Sequence, residues 1–315
     1  MFMKTYDELI SRWDACHGGQ LLVDHQHPIM NMYLNINEKG NRELLIPVKK
    51  PIKKFQSTEA IGISNYKSKD SYYFAIELLS GNLIKEYACL CFELIQSSRE
   101  CATQEEAVDV LFSTFRKWYS LMADVHLGIL PLSEIRGLIG EIKYMIDEMS
   151  SGRHEQELIN AWTTHKDASR DFVFDETWSE VKTIQSSSDY VGISSVEQLD
   201  HDINGFLTVY RLDQVHKESE KTYTLNSIIR ELQSKLSMSS EAVLNRKLLA
   251  KGYTFNAHYE EFQFVFNGKY RYLVDSSFPR ISKSDLAPAI KSAKYELYLS
   301  GIEEWRQIDG ESRST

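Results

Sequence analysis

A long amphipathic segment at residues 131–152 constrains the fold more than any other part of the sequence. The segment begins with a proline, Pro131, and ends with Gly152, as helices commonly do. Its apolar residues recur at helical spacing: Ile135, Leu138, Ile139, Ile142, Met145, Ile146 and Met149. We therefore predict a helix with one buried face. Gly137 and Gly140 lack side chains and would let that helix approach a sheet closely.

Strand-like runs follow this helix. DFVF (171–174), WSEVKTI (178–184) and GFLTVYRL (205–212) are rich in β-branched and aromatic residues. WSEVKTI alternates in polarity as a half-buried strand does. A helix followed by strands over about 80 residues indicates an α/β core in this part of the chain.

The first two strands carry an acid, a second acid and a lysine. Glu180 and Lys182 are two residues apart, so in a strand they project from the same face. Asp171 shares that face only if it lies opposite Glu180, which places Phe174 opposite Thr177 around a two-residue turn. A three-residue turn would send Asp171 to the other face. Asp-Glu without glycine is a poor two-residue turn, so a bulge or a wider loop of the same parity is an alternative.

Two carboxylates and a lysine on one face suit phosphodiester hydrolysis. Carboxylates bind Mg²⁺ while leaving coordination positions open, and the metal neutralises charge in the transition state. A lysine can orient or deprotonate the attacking water and stabilise developing negative charge. The alternative is an ordinary hairpin with charged edges, because an acid followed by Glu-x-Lys also arises by chance.

A further acid, Glu141, lies on the predicted helix. It stands three residues after Leu138 and four before Met145, so it borders the buried stripe. Without further context, a flanking charge on an amphipathic helix is the simpler interpretation.

The order of these motifs resembles the PD-(D/E)XK nuclease superfamily. GLIGE, AW, DFVF, EVKT and ISSVEQLD follow one another over about residues 135 to 200. More narrowly, they resemble a bacterial family called "PD-(D/E)XK motif protein", whose members are typically encoded near restriction–modification and phage-defence genes. The resemblance implies a restriction-endonuclease-like core, in which helices flank a mixed sheet.

The resemblance also implies roles for individual residues. The implied metal ligands are Asp171, Glu180 and Glu141, and the implied catalytic residues are Asp171, Glu180, Lys182 and Gln198. Ser195 would lie beside the site. Arg170 departs from the motif name, which has proline at that position.

Residues 1–125 are predicted to form an N-terminal α+β accessory domain. Strand-like runs such as ELLIPV and SYYFAIELL lie between a short first helix and two later helices. The DHQH stretch at 24–27 could be drawn as a metal site, but a solvated loop is the better interpretation. Cys89 and Cys91 are interpreted as small buried hydrophobic residues rather than ligands.

Residues 211–315 are predicted to form a C-terminal α+β region beyond a nuclease core at 126–210. Two helices are expected, and EFQFVFNGKYRYLVD (261–275) predicts a hairpin with a type I′ turn at Asn267–Gly268. Helix, helix, hairpin is also the order of a winged helix, so this region could contact DNA or mediate dimerisation. A sheet edge with protective charges is the better interpretation of the hairpin.

The overall charge argues against tight, non-specific DNA binding. The chain has a formal net charge of −9, whereas proteins that bind DNA through its phosphates usually carry a basic stripe. Charge can nevertheless segregate by face, and bound cations offset carboxylates.

The sequence predicts a cytoplasmic protein. No apolar run is long enough to span a membrane, and the N-terminus does not resemble a signal peptide. The cysteine spacing predicts no disulfide framework.

These features together predict a Mg²⁺-dependent DNA endonuclease of the restriction or defence type, with Mn²⁺ able to substitute. A homodimer is expected, since cutting both strands usually needs two sites, and restriction or defence proteins are candidate partners. One alternative is a subunit that binds nucleic acid or supports assembly without cutting. Another is an RNase or a hydrolase of a different phosphoester.

Overall fold

A computed structural model describes most of the chain, and the chain forms two compact units. The described ranges are 6–16, 21–23, 27–58, 60–68, 71–123, 129–164, 169–215 and 221–307. Unit 1 comprises Met1–Gly128 with Ser237–Phe255, and unit 2 comprises Ile129–Leu236 with Asn256–Thr315. Within the described ranges, no helix is both long and apolar enough to cross a membrane.

Seven helices and twelve strands are described. The helices are α1 (Tyr6–Asp14), α2 (Ile84–Ser97), α3 (Gln104–Ala123), α4 (Leu132–Ser150), α5 (Glu155–Ala161), α6 (Leu225–Gln233) and α7 (Met238–Ala250). The strands are β1 (Leu21–Leu22), β2 (Tyr33–Ile36), β3 (Arg42–Val48), β4 (Ile61–Ser68), β5 (Ser71–Leu78), β6 (Phe172–Val173), β7 (Trp178–Ile184), β8 (Tyr190–Ile193), β9 (Gly205–Val215), β10 (Gln263–Val274), β11 (Tyr295–Tyr298) and β12 (Arg306–Gln307).

Unit 1 is built on an antiparallel sheet in the order β1-β2-β3-β5-β4, with α1, α2, α3 and α7. Its core contains large side chains that are fully buried, among them Trp13 and Phe115. Cys89 and Cys91 are buried and unpaired, which confirms their interpretation as small hydrophobic residues. Within DHQH, residues 24–26 lie outside the described residues, and His27 is buried with its Nε2 3.2 Å from the hydroxyl of Ser98.

Unit 2 contains a five-stranded mixed sheet in the order β12-β10-β9-β7-β6. β7 and β9 run parallel to each other, and the remaining neighbours are antiparallel. β8 and β11 form a separate two-stranded antiparallel sheet. The protein is therefore α/β, and helices flank a mixed sheet in a manner consistent with a restriction-endonuclease-like fold, as predicted.

Helix α4 packs on one face of β7, as its buried stripe predicts. A Cβ atom built on Gly140 would lie 2.5 Å from the Thr183 methyl carbon, so glycine allows the close approach. On the same face, the Tyr144 hydroxyl donates a hydrogen bond of 2.8 Å to Ser179. Because strand residues alternate, Glu180 and Lys182 face away from α4.

The predicted hairpin at Asn267–Gly268 is wrong. Residues 263–274 form one long strand, β10, which pairs with β9 along its whole length and is interrupted by a bulge. Phe266 pairs with Leu212 and Gly268 with Arg211, so Asn267 is the extra residue of the bulge. The Asn267 amide donates to the Asp213 carboxylate at 2.6 Å. Pairing with a long neighbouring strand has outweighed a local turn signal.

The less favoured winged-helix interpretation is excluded for the same reason. The two units also divide the chain differently from the three predicted regions. Helix α7 belongs to unit 1, where it packs with α2 and α3, whereas α6 packs with α4 in unit 2. β10 and β12 complete the sheet that contains β7. The strands of the expected C-terminal region 211–315 are thus part of the nuclease-like sheet rather than of a separate element.

A substitution at Gly205 would show how tightly the side chains on this sheet are packed. A Cβ atom there would lie 2.1 Å from Cε2 of the buried Trp178 ring, which is rigid and cannot yield cheaply. We expect Gly205→Ala to lower the free energy of unfolding by about 1–3 kcal/mol. The control is Gly192→Ala in β8, where a Cβ atom meets nothing within 4 Å. Urea unfolding followed by tryptophan fluorescence measures both, and equal stability of the two variants would contradict the packing argument.

Candidate metal-dependent active site

The register of the β6–β7 hairpin brings the two predicted acids to one face. Phe172 pairs with Ser179 and Val173 with Trp178. The Phe174 amide donates to the Thr177 carbonyl at 2.9 Å, which closes the predicted two-residue turn. Extending this register by one pair places Asp171 opposite Glu180. The hairpin thus has the two-residue turn and the even register that the sequence analysis requires.

Glu180 is the most deeply buried acid of this group. Its side chain is 1% exposed, and Oε1 lies 2.6 Å from Nζ of Lys182. Burial, followed by the negative charge of Asp171, raises the pKa of Glu180 to about 8, although the nearby ammonium of Lys182 opposes the shift. Its second oxygen, Oε2, is buried and has no hydrogen-bond partner among the described residues. The cost of burying this oxygen is therefore not offset by a hydrogen bond from the described residues.

Lys182 is held between Glu180 and Gln198. Its ammonium donates a hydrogen bond of 3.1 Å to Oε1 of Gln198. The same oxygen accepts the backbone amide of Ser194 at 2.7 Å, which fixes the orientation of the Gln198 side chain. Gln198 therefore lies beside the lysine, as predicted. Ser195 lies in the same segment, but its hydroxyl bonds to the Glu197 carboxylate rather than to Lys182.

Asp171 is fixed at the edge of the hairpin. Its Oδ2 accepts the backbone amide of Val181 at 2.9 Å, and its carbonyl accepts the Thr163 amide at 2.8 Å. Bonds on both the side chain and the main chain leave little freedom for the carboxylate to turn away. Asp171 also acts electrostatically on Glu180, as the second-largest cause of its raised pKa.

Glu141 acts on Glu180 through its charge. It lies on α4, on the opposite side of β7 from the direction in which Glu180 points, and its Oε2 accepts the indole N–H of Trp162 at 2.6 Å. Its effect on the pKa of Glu180 is the smallest of the five causes. The structure thus brings Asp171, Glu180 and Lys182 together and keeps Glu141 hydrogen-bonded to a neighbouring tryptophan.

Arg170 is a further cation at the site, and the sequence analysis missed its role. Its guanidinium lies 5.0 Å from the Trp178 ring and donates a hydrogen bond of 2.5 Å to the Asp200 carbonyl. Burial lowers the pKa of Arg170, whereas the charge of Glu180 acts most strongly against that shift. Its position immediately before Asp171, where the motif has proline, was a signal in the sequence that could have identified it.

The chemistry of the site fits a hard divalent cation, although no complete coordination shell is preformed. Carboxylate oxygens are the ligands that Mg²⁺ prefers, and Oε2 of Glu180 is a buried oxygen without a donor in the described part of the chain. Among the described residues, no three His, Cys, Asp or Glu side chains are grouped closely enough to hold a metal ion. Asp171 and Glu180 could hold such a cation, and water or phosphate oxygens would complete its coordination shell.

The raised pKa of Glu180 predicts how stability depends on pH without metal. Its pKa of about 8 in the folded protein lies above the ordinary value of 4.5, so the folded state binds this proton more tightly. The resulting stabilisation is present below pH 4.5 and is lost as the pH rises to about 8. We expect urea unfolding in EDTA to show this loss in the wild type and not in Glu180→Gln. The exposed turn residue Glu176, changed to Gln, is the control, and identical pH profiles for all three proteins would contradict the assignment.

Comparison with known families identifies the chain. Residues 4–300 match the model of a family of unknown function, DUF4420, whose description is "Putative PD-(D/E)XK family member". No curated protein and no solved structure matches the chain. The match covers nearly the whole sequence and confirms the resemblance based on GLIGE, DFVF and EVKT. The chain belongs to the DUF4420 family, within the PD-(D/E)XK superfamily.

Proposed function

We propose that the protein is a Mg²⁺-dependent endonuclease that hydrolyses phosphodiester bonds of DNA, with Mn²⁺ able to replace Mg²⁺. The proposal is supported by the β6–β7 hairpin, whose register extended by one pair sets Asp171 against Glu180, and by the Nζ of Lys182, which lies 2.6 Å from Oε1 of Glu180. Membership of the PD-(D/E)XK superfamily, whose members are generally nucleases, supports the same chemistry.

Each residue of the cluster has a distinct part in this proposal. Asp171 and Glu180 would hold the divalent cation, which when bound would neutralise charge on the scissile phosphate. Lys182, as an ammonium 2.6 Å from Glu180, would orient the attacking water and stabilise the negative charge that develops on the phosphate. Gln198 fixes the ammonium by a hydrogen bond of 3.1 Å and so acts as a positioning residue. Arg170 adds a second positive charge beside the carboxylates.

Glu141 is proposed as an additional metal-site carboxylate, in the indirect sense that its charge favours a cation near Glu180. Binding a cation would relieve the mutual repulsion of these acids, which now contributes to the raised pKa of Glu180. A carboxylate has two oxygens, so the bond from the Trp162 indole to Oε2 does not by itself prevent direct coordination through Oε1.

The biological setting is also part of the proposal. The resemblance to proteins encoded near restriction and phage-defence genes supports a role in defence, alone or with partner proteins. A homodimer would supply the two sites needed to cut both strands. No disulfide joins Cys16, Cys89, Cys91 or Cys101, which supports a reducing, cytoplasmic setting.

A second candidate is a subunit that binds nucleic acid without cutting. Among the described residues, no three acidic, histidine or cysteine side chains form a ready metal site, which favours this alternative. The two candidates differ in one measurable property: only a nuclease loses a metal-dependent activity when its lysine is removed.

Lys182→Ala should therefore abolish plasmid nicking in Mg²⁺ or Mn²⁺. A positioned group that transfers protons or stabilises charge contributes about 10²–10⁴-fold, so we expect at least about a hundredfold loss. Nicking is measured by conversion of supercoiled plasmid to the open form. The matched control is Lys269→Ala, since Lys269 is similarly exposed, 24% against 18%, and also pairs with a carboxylate.

Circular dichroism must show that both lysine variants fold. Equal nicking by the wild type and by Lys182→Ala would reject the proposed role of the lysine. Failure of the wild type to nick any DNA with either metal would favour the non-cutting subunit.

Metal binding can be measured separately from cutting. We expect Mg²⁺ or Ca²⁺ to stabilise the wild type against urea, by about 2.7 kcal/mol at a hundredfold excess over the dissociation constant. Asp171→Asn and Glu180→Gln should each remove this increment, because each deletes a proposed ligand. Glu141→Gln should weaken it less. The exposed turn acid Asp175, changed to Asn, serves as the control, and an increment that survives both ligand substitutions would exclude this site.

A further inference from the structure

A run of lysines in unit 1 concentrates positive charge on an otherwise acidic protein. KKPIKK, residues 49–54, follows directly on strand β3 and is termed here the lysine loop. The loop borders a surface pocket of about 500 Å³, to which Arg116 of helix α3 also contributes. Five cationic side chains line this pocket against two carboxylates, Glu105 and Asp109. The pocket is therefore positively charged, although the chain carries a net charge of −9.

The backbone of the lysine loop is fixed by specific contacts. The Asn65 side chain accepts the Ile52 amide at 2.9 Å and donates to the Ile52 carbonyl at 3.1 Å. The Tyr119 hydroxyl likewise bonds both the amide and the carbonyl of Gln56, at 3.1 and 2.9 Å. Two side chains thus satisfy the main chain on both sides of Lys53 and Lys54.

An aromatic anchor adds to these hydrogen bonds. The ring of Phe55, immediately after the loop, lies 4.8 Å from that of Phe115 and 5.1 Å from that of Tyr119. Aromatic contacts of this kind stabilise a fixed arrangement beyond simple burial. The segment is therefore held in place although its lysine side chains project into solvent.

The charges of the loop are mostly uncompensated. Lys49 pairs with Glu105. Lys50, Lys53 and Lys54 are exposed, and no ion pair within the described residues engages them. Clustered lysines repel one another, so a fixed loop that gathers them costs free energy unless an anionic partner offsets the repulsion.

We propose that the lysine loop and Arg116 bind the phosphate backbone of nucleic acid, and that unit 1 thereby contributes to substrate binding. The inference deepens the proposed nuclease function and rests on it for the choice of DNA. Several cations spread along a short, fixed segment suit a polymer with regularly spaced charges. Lysine bonds to phosphate as a point charge, without base readout, so the contacts would be independent of sequence.

The two units belong to one chain, so contacts of DNA with unit 1 would also favour its binding to unit 2. The chain passes between unit 1 and unit 2 three times, at 128–129, 236–237 and 255–256. DNA held by the lysine loop would stay at high effective concentration near unit 2. Weak backbone contacts in unit 1 could thus offset the unfavourable overall charge of the protein.

Binding of the full-length protein to fluorescent DNA in EDTA tests the proposal without any need for cutting. Duplex and single-stranded oligonucleotides of equal length are titrated at several salt concentrations. We expect the Lys50→Gln/Lys53→Gln/Lys54→Gln variant to bind at least about tenfold more weakly at low salt. The slope of log affinity against log salt should fall by about one for each contacting lysine.

The control removes the same charge from the same unit. Lys39, Lys67 and Lys85 are exposed and lie outside the loop, and their triple change to Gln should alter the salt slope by less than one. Circular dichroism must show that both triple variants fold. An equal loss of affinity in both variants would overturn the proposal, because it would reflect net charge alone.

The outcome is distinguishable from failure of the nuclease proposal. If the wild type binds DNA through the loop but nicks none with Mg²⁺ or Mn²⁺, the lysine loop assignment stands and the nuclease assignment fails. If the wild type binds neither oligonucleotide at low salt, the lysine loop assignment is overturned even if nicking is observed.

Discussion

The burial of Glu180 beside Lys182 is the constraint on which the rest of the site depends. A carboxylate that is 1% exposed cannot remain charged without nearby positive charge, and the lysine at 2.6 Å compensates only one of its two oxygens. The negative charge of Asp171 makes the charged form of Glu180 still less favourable. An apolar residue would suit this strand position better for stability. Such a costly arrangement is characteristic of functional sites rather than of structural ion pairs.

The sheet supplies the rigidity that this arrangement requires. β7 pairs in parallel with β9, which places Glu180 opposite Leu207 and Lys182 opposite Val209, both fully buried. β9 is in turn paired along its length with β10, whose bulge absorbs one residue without ending the strand. The C-terminal part of the chain therefore stabilises strand β7, which carries Glu180 and Lys182. Catalytic groups held on paired strands are positioned more accurately than groups on loops.

Local pattern predicted the elements well, and long-range pairing explains what it missed. Alternation in WSEVKTI and the two-residue turn were enough to place Asp171 opposite Glu180, because a hairpin register is set locally. The Asn267–Gly268 signal failed because its partner strand, β9, lies some 50 residues away in sequence. Glu141 was correctly placed on a helix, but which side of β7 that helix covers depends on tertiary packing. The role of Arg170 likewise depends on spatial neighbours such as Trp178.

The net charge of −9 conflicts with the proposed substrate, a polymer of phosphates, only when charge is averaged over the chain. In the proposed function, carboxylates at the site disfavour the scissile phosphate until a cation neutralises them, so the metal would serve the placing of that phosphate as well as the chemistry. The lysine loop contributes positive charge in unit 1, where no cation has to be bound first. Dividing the two tasks in this way lets the acids near Glu180 remain available for metal while backbone affinity comes from elsewhere. Affinity would then depend on salt, and hydrolysis on the divalent cation.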